Sequence, residues 1–352
     1  MARILIVTPD LSLLGGVALF YKGLKPYWSK NISYLELKSL NRNNKSAYLL
    51  SALVNIARFI RTLMVLKPAL VVFNSSLKPG FYSNLLYSRI LRLFNKKYMV
   101  FIHGWEEKYE SYLTSKNGAP YLHNAEAIIV LSSLFKEKLK LIGIEESRVY
   151  LSTTEVDDCL IKDFDVNKRD GSIKRFLFLA RTVRGKGLFE SLDVFYMLKK
   201  DYPYIQYDVV GDGEDLDAAK RYVEEHQMKD IFFHGRKQGD ELIKYYTEAD
   251  FFFFLSYTEG MPASLLEAMA FGLMIATRPV GAIPEVFKDG INGILSTELS
   301  PVYYYNRIKE YMEKPDLVKE IQQANHNLSK STFLASEVAA RIESILKKYA
   351  AA

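Results

Sequence analysis

Glu259 and Glu267 stand eight residues apart, with Gly260-Met261-Pro262-Ala263-Ser264-Leu265-Leu266 between them. The apolar run from Phe251 to Leu255 precedes them and reads as a buried strand. Leu265, Leu266, Met269 and Ala270 then fall at helical intervals. One carboxylate therefore belongs to a strand-to-helix loop. The other lies about two turns into the helix, roughly 12 Å further along at helical rise. That gap is too wide for two carboxyl groups sharing a proton, but it suits the two ends of one extended polar ligand. A carboxylate just past a parallel strand sits at the crevice where open α/β sheets bind ligands. From spacing alone, a surface Glu and a helix-capping Glu fit as well.

A second chemistry-bearing stretch is Ala180-Arg181-Thr182-Val183-Arg184-Gly185-Lys186-Gly187, between a strand and a helix. Arg181 offers a bidentate fork for phosphate oxygens, Lys186 a mobile point charge, and a helix N-terminus adds amide donors. A basic surface loop is the alternative. The stretch is not a Walker loop, because Gly-x-x-x-x-Gly-Lys-Ser/Thr does not occur. Gly15-Gly16 allows close backbone approach to a ligand but does not complete a dinucleotide fingerprint. Gly211-Asp212-Gly213 is shorter still and reads as a tight turn. His103 ends a strand with no His or Cys close in sequence, so metal ligation is not expected there. No Ser-His-Asp set is visible, and Cys159 has no base partner.

Strands alternating with helices must position these groups. Apolar runs at 3–8, 70–73, 98–102 and 127–131 predict one parallel, doubly wound sheet, and the pattern restarts at Phe176. Both the length of 352 residues and this restart predict two domains. They are expected over 1–162 and 175–332, with the polar segment 163–174 as linker. A final helix over 333–352, with Val338, Ile342, Ile345 and Leu346 on one stripe, is expected to cover a sheet or return to the first domain. A single cysteine excludes an internal disulfide and fits a reducing compartment. No secretory leader is apparent, and no run of eighteen uncharged apolar residues predicts a membrane span.

The net charge of +6 is unevenly placed: residues 1–160 hold 21 Lys and Arg against 12 Asp and Glu. Between Leu37 and Trp105 eleven basic residues occur with no acidic one, among them Lys38, Arg58, Arg61, Arg89 and Arg92. Such a stretch suits an anionic membrane leaflet, at about 1 kcal/mol per basic residue near the surface. A merely solubilising face is the alternative. Nucleic acid is not expected, since no recognition motif accompanies the charge.

Taken in order, Gly15-Gly16, His103-Gly104, Arg181 to Lys186-Gly187, Gly211-Asp212-Gly213 and Glu259-x7-Glu267 resemble the retaining GT-B glycosyltransferases of family 4, the glycosyl transferases group 1. Pro279-Val280-Gly281-Ala282-Ile283-Pro284-Glu285 and Asp289-Gly290-Ile291-Asn292-Gly293 strengthen the resemblance. It runs through nearly the whole chain and is strongest from Phe176 to Leu295. It implies an α/β protein of two doubly wound Rossmann-like domains facing across a cleft.

The resemblance also implies roles. Arg181 and Lys186 would hold the donor diphosphate, and Glu267 the ribose hydroxyls. Glu259, with the backbone amides of Gly260 and Met261, would face the donor sugar. Gly15 and Gly16 would approach the diphosphate from the first domain, and His103 would lie beside the reacting sugar on the acceptor side. Gly235 and Arg236, within His234-Gly235-Arg236-Lys237, would border the base.

The implied reaction is metal-independent, retaining hexosyl transfer from a nucleotide-diphosphate sugar, UDP favoured, to a glycan or lipid-linked acceptor. The donor is a substrate, and no separate cofactor is expected. Cell-surface polysaccharide synthesis at the cytoplasmic, inner face of the membrane is the expected setting, with peripheral contact through the basic first domain. Two departures from the family pattern stand out: Thr154-Glu155-Val156-Asp157 in place of Asn-Gly-Val-Asp, and Ala180 in place of a frequent Gly. A sugar-nucleotide epimerase and a non-catalytic sugar-nucleotide-binding subunit are the other functions this architecture allows.

Overall fold

The computed structural model describes residues 2–12, 16–38, 45–75, 81–105, 110–113, 115 and 118–351. It divides into two compact units, Met1–Glu155 with Ala335–Ala352, and Val156–Leu334.

The first unit runs β1 (Ile4–Pro9), α1 (Gly16–Leu24), β2 (Ile32–Leu37), α2 (Lys45–Leu66), β3 (Leu70–Ser75), α3 (Phe81–Leu93), β4 (Lys97–Ile102), α4 (Glu110–Leu113), α5 (Ala119–His123), β5 (Ile128–Val130), α6 (Ser133–Leu141) and β6 (Val149–Leu151). Its six strands lie in the order β2-β1-β3-β4-β5-β6, and every pairing is parallel. Helices cover both faces, so the central strands are apolar on both sides. Leu5 and Val7 enter one core with Val71, Phe73 and Val100; Ile4 and Ile6 enter the opposite one with Val72, Met99 and Phe101. That division is the period-2 alternation of a strand buried on both faces.

The second unit runs β7 (Arg175–Leu179), α7 (Leu188–Asp201), β8 (Gln206–Val210), α8 (Leu216–Glu225), β9 (Ile231–Gly235), α9 (Glu241–Glu248), β10 (Phe251–Phe254), α10 (Ala263–Ala270), β11 (Met274–Thr277), α11 (Ile283–Val286), β12 (Gly293–Leu295), α12 (Pro301–Met312) and α13 (Pro315–Thr332). Its strand order is β12-β11-β10-β7-β8-β9, again all parallel. The chain winds outward from β7 through β8 to β9, then returns to start the other half at β10. The reversal lies between β7 and β10, and the crevice at their C-terminal ends is where such a sheet takes ligands.

The last helix, α14 (Ala335–Ala351), belongs to the first unit, where Ala335, Val338, Ala339, Ile342 and Leu346 join Phe20, Leu24 and Val72 in one core.

The segment 163–174 is not a free linker. The buried Arg169 side chain donates to the carbonyls of Phe271 (2.8 Å), Ala249 (2.6 Å) and Tyr246 (3.0 Å), which ties this polar stretch into the second unit. The helix after β10 starts at Ala263, so Glu267 lies about one turn inside it rather than two. The helix α2 has the length and mean hydropathy (1.7 over Tyr48–Leu66) of a membrane span, although Arg58 and Arg61 interrupt its apolar run.

Candidate functional site

At the switch point of the second unit, the loops after β7 and β10 are bonded to each other. The Gly185 carbonyl accepts from the Tyr257 amide (3.0 Å) and from Ser256 Oγ (3.2 Å). Gly187 follows in a left-handed conformation, φ 75°. A Cβ there would fall 2.3 Å from the Leu255 carbonyl oxygen, so only glycine lets α7 begin this close to β10.

These constraints bring Lys186 to Glu259: Nζ and Oε1 are 2.6 Å apart. The Glu259 side chain is 10% exposed and that of Lys186 26%, so the pair is only partly open to water. Arg181 is exposed at the start of the same loop. The neighbouring backbone is fixed to the loop after β8. Thr182 N donates to Asp212 O (2.8 Å), Asp215 N to Thr182 O (3.0 Å) and Arg184 N to Asp215 Oδ2 (2.6 Å). Gly211 and Gly213 serve this close backbone approach: a Cβ would lie 1.9 Å from Ala180 O at the first and 2.5 Å from Thr182 O at the second.

The Glu259 loop is pinned from its other side. Gly281, φ 58°, passes so close that a Cβ would lie 2.4 Å from the carbonyl oxygens of both Glu259 and Gly260. Ala282 N donates to Gly260 O at 2.8 Å. Gly260 is exposed and Met261 is buried beneath it. Glu267 projects from α10 and accepts the Tyr246 hydroxyl at Oε2, 2.6 Å away. The Tyr246 ring stacks on Phe271, centroids 5.1 Å apart. Burial raises the Glu267 carboxyl above the ordinary carboxylate range, and the Tyr246 hydrogen bond opposes that rise. At the end of β9, Gly235 is half-buried and Arg236 exposed, and His234 Nε2 contacts Asp208 Oδ1 at 2.6 Å.

The first unit carries the remaining expected positions. Gly16 opens α1, with no atom within 4 Å of where a Cβ would stand; Gly15 lies outside the described residues. His103 follows β4. Its ring stacks on Phe101 (4.1 Å) and meets Phe20 edge-on (5.1 Å). Desolvation by these neighbours lowers its pKa to about 3, so the imidazole is neutral at pH 7. Its Nε2 lies 3.0 Å from Asn74 Oδ1. Asn74 Nδ2 donates to Val7 O, and Tyr21 donates its hydroxyl to Asn74 Oδ1, which orients the amide. His103 therefore carries its proton on Nε2 and leaves Nδ1 as an acceptor.

Two Asp-x-Asp triplets occur, at Asp163–Asp165 and Asp215–Asp217. Among the described residues no group of three or more His, Cys, Asp or Glu side chains is gathered as metal ligands.

Residues 161–328 match the family described as Glycosyl transferases group 1. That stretch is a glycosyl transferases group 1 domain. The stretch contains Arg181, Lys186, Glu259 and Glu267. The amylovoran biosynthesis glycosyltransferase AmsK of Erwinia amylovora is 28% identical over 183 residues, 49% of this chain and 44% of that protein. The putative colanic acid biosynthesis glycosyltransferase WcaL of Salmonella typhimurium is 26% identical over 193 residues, 53% and 47% of the two chains. The chain thus spans about half the length of the curated relatives it matches. Among solved structures, Anabaena Alr3699/HepE in complex with UDP superposes with a TM-score of 0.78 at 15% identity, covering 98% of this chain and 100% of that one. The lipopolysaccharide outer core galactosyltransferase WaaB in its apo form gives 0.69 at 18% identity, with 98% and 99% covered. At these identities the likeness is one of fold, the GT-B class of two parallel α/β sheets.

The structure also brings in residues that spacing did not suggest. Tyr246 is 21 residues from Glu267, on another helix, and no pattern in sequence links them. Asn74 is 29 residues from His103. Only strand order predicts that contact: Asn74 and Ser75 pair with Phe101 and Ile102 at the ends of β3 and β4.

Proposed function

We propose that the protein is a retaining glycosyltransferase that moves a hexosyl group from a nucleotide-diphosphate sugar, UDP favoured, to a glycan or lipid-linked acceptor. The observation that carries this reading is the Lys186–Glu259 contact across the switch point. It sets a phosphate-binding cation against a carboxylate suited to sugar hydroxyls. The names of AmsK and WcaL, amylovoran and colanic acid biosynthesis, support surface polysaccharide assembly as the setting. The HepE structures with UDP and with UDP-glucose support the choice of nucleotide.

In this reading Arg181 and Lys186 bind the diphosphate and stabilise the charge that builds on it as the glycosidic bond breaks. Glu267 holds the ribose, and Glu259 with the Gly260–Met261 backbone orients the sugar. Gly235 and Arg236 border the base. The leaving phosphate takes the acceptor hydroxyl proton as the new bond forms on the same face, so configuration is retained and no enzyme nucleophile is used. His103 serves the acceptor side as a neutral hydrogen-bonding ring. The protein works at the cytoplasmic face of a membrane, with its basic first unit toward anionic lipid.

A thermal-shift series with UDP, GDP and ADP tests the donor. A nucleotide at 100 times its Kd adds about 2.7 kcal/mol of stability. Incubation with UDP-glucose, UDP-galactose or UDP-N-acetylglucosamine should then release UDP, with the product anomer read by NMR. Stabilisation by none of the three nucleotides would refute the reading.

A further inference from the structure

We infer that the outer face of α2, with the adjoining face of α3, is a docking surface that lies flat in the interface of an anionic lipid bilayer. The inference rests on the membrane contact proposed above and assigns it to particular residues.

The helix α2 is apolar on both sides. Its inner side is part of the first unit: Phe59 and Leu63 are buried with Val71, Phe73 and Tyr87. Asn55 clasps the Lys38 backbone, accepting from its amide (3.1 Å) and donating to its carbonyl (3.0 Å). On the outer side Leu49 (62%), Leu50 (65%), Leu53 (64%), Met64 (55%) and Val65 (72%) are exposed. At 3.6 residues per turn these five side chains fall within roughly 160° of one another, so they share one broad outer face. In α3, Leu86 and Leu93 are exposed at seven-residue spacing, 43% and 86%.

A helix apolar all round belongs in a protein core or in lipid. Here Asn55, Phe59 and Leu63 already pack into the first unit, so lipid cannot surround the helix, which argues against a spanning orientation. An interfacial helix, with one face down in the acyl boundary and cations beside it, satisfies both sides. Arg58, Arg61 and Lys67 lie on or beside α2, and Arg89 and Arg92 on α3, within a stretch that has no acidic residue from Leu37 to Trp105. The same charge argues against a second copy as the occupant. Isologous pairing of this face would oppose arginines with arginines, and the segment has no carboxylate to answer them.

The test is co-sedimentation of the full chain with vesicles of phosphatidylcholine and phosphatidylglycerol, against phosphatidylcholine alone, at low and high salt. The wild type should bind the anionic vesicles, less at high salt. Leu50→Gln/Leu53→Gln, at exposed positions, should bind on the order of tenfold more weakly per leucine removed while keeping its melting temperature. A Leu53→Trp variant should show blue-shifted emission on the vesicles, quenched by brominated lipid. Wild-type binding with the glutamine variant equally tight and the tryptophan still water-exposed would overturn this face and leave the membrane contact standing. Failure of the wild type to bind would overturn both. A lipid-free dimer that Leu50→Gln/Leu53→Gln dissociates would assign the face to self-association instead.

Discussion

Lys186 reaches from the loop after β7 to Glu259 in the loop after β10, Nζ to Oε1 at 2.6 Å, across the point where the sheet of the second unit reverses its winding. A cation suited to a diphosphate is thus held by a carboxylate suited to a sugar. An incoming phosphate must compete with Glu259 for the ammonium. The pair keeps Lys186 in place before the ligand arrives, at some cost in phosphate affinity.

Separate effects on binding and turnover follow. Glu259→Gln removes the competing charge, so nucleoside diphosphate should bind more tightly by calorimetry, while turnover falls because the sugar loses its carboxylate. Lys186→Ala and Arg181→Ala should each lower kcat on the order of 10²-fold, since each removes positive charge from the leaving group. If both alanine variants kept full turnover, the phosphate assignment would be wrong.

Glu267 gives the opposite split. Glu267→Ala should chiefly weaken nucleotide binding, because the ribose hydroxyls lose their acceptor. Burial raises this carboxyl above the ordinary carboxylate range, and the Tyr246 hydroxyl holds the rise in check. Between the ordinary value and the raised one, the folded protein keeps a proton that the unfolded chain has shed. Stability therefore falls as pH rises through that window. Nucleotide affinity runs the other way, weakening as pH drops and Glu267 gains its proton. Tyr246→Phe removes the opposing hydrogen bond, so the affinity profile should move to higher pH. A profile that Tyr246→Phe leaves in place would show that Tyr246 does not tune Glu267.

The sheets were legible because their central strands are apolar on both faces, as in Leu70–Phe73 and Phe251–Phe254. The strand β2 was not. Its Ile32-Ser33-Tyr34-Leu35-Glu36-Leu37 run sits at a sheet edge and mixes polar residues throughout. The helix α13 was missed for a different reason: its buried side carries Gln322, Asn325, His326 and Ser329. Asn325 Nδ2 donates to the carbonyls of Leu273 (3.0 Å) and Asn292 (2.9 Å), so polar groups do the packing that apolar periodicity would have revealed. Glu259 and the Arg181–Lys186 loop could be found because each lies in the loop after a strand, and Glu267 through its spacing from Glu259. Tyr246, the partner of Glu267, and Asn74, the partner of His103, come from other elements, and only the folded topology brings them in.

His103 should make folding pH-dependent in a defined direction. Its pKa falls to about 3 in the folded protein, against about 6.5 in an unfolded chain. Between those values the unfolded state binds the proton and the folded state does not. The contribution to stability is therefore complete above about pH 6.5 and is lost as pH falls toward 3. Urea titrations across that range should show this slope, and His103→Phe, which keeps a ring against Phe101 and Phe20, should flatten it. Turnover of the wild type should show no inflection near pH 6.5 arising from this residue.

Arg169 tests whether the segment before β7 is a hinge or part of the second unit. Its guanidinium donates to Phe271 O, Ala249 O and Tyr246 O, and its Nη1 lies 3.7 Å from Asp250 Oδ1. The side chain is only 7% exposed, and burial lowers its pKa to about 10, which still leaves it charged at pH 7. Removing it would strand three carbonyls and the Asp250 carboxylate, which burial already pushes upward in pKa. Arg169→Ala should therefore destabilise the second unit by roughly 3–5 kcal/mol. Because Tyr246 O is one of the three acceptors, the same change should loosen α9, whose Tyr246 hydroxyl bonds Glu267 on α10, and nucleotide affinity should fall with stability. Chemical denaturation with and without UDP separates the two effects. An Arg169→Ala protein as stable as the wild type would mean that residues 163–174 act as a linker after all.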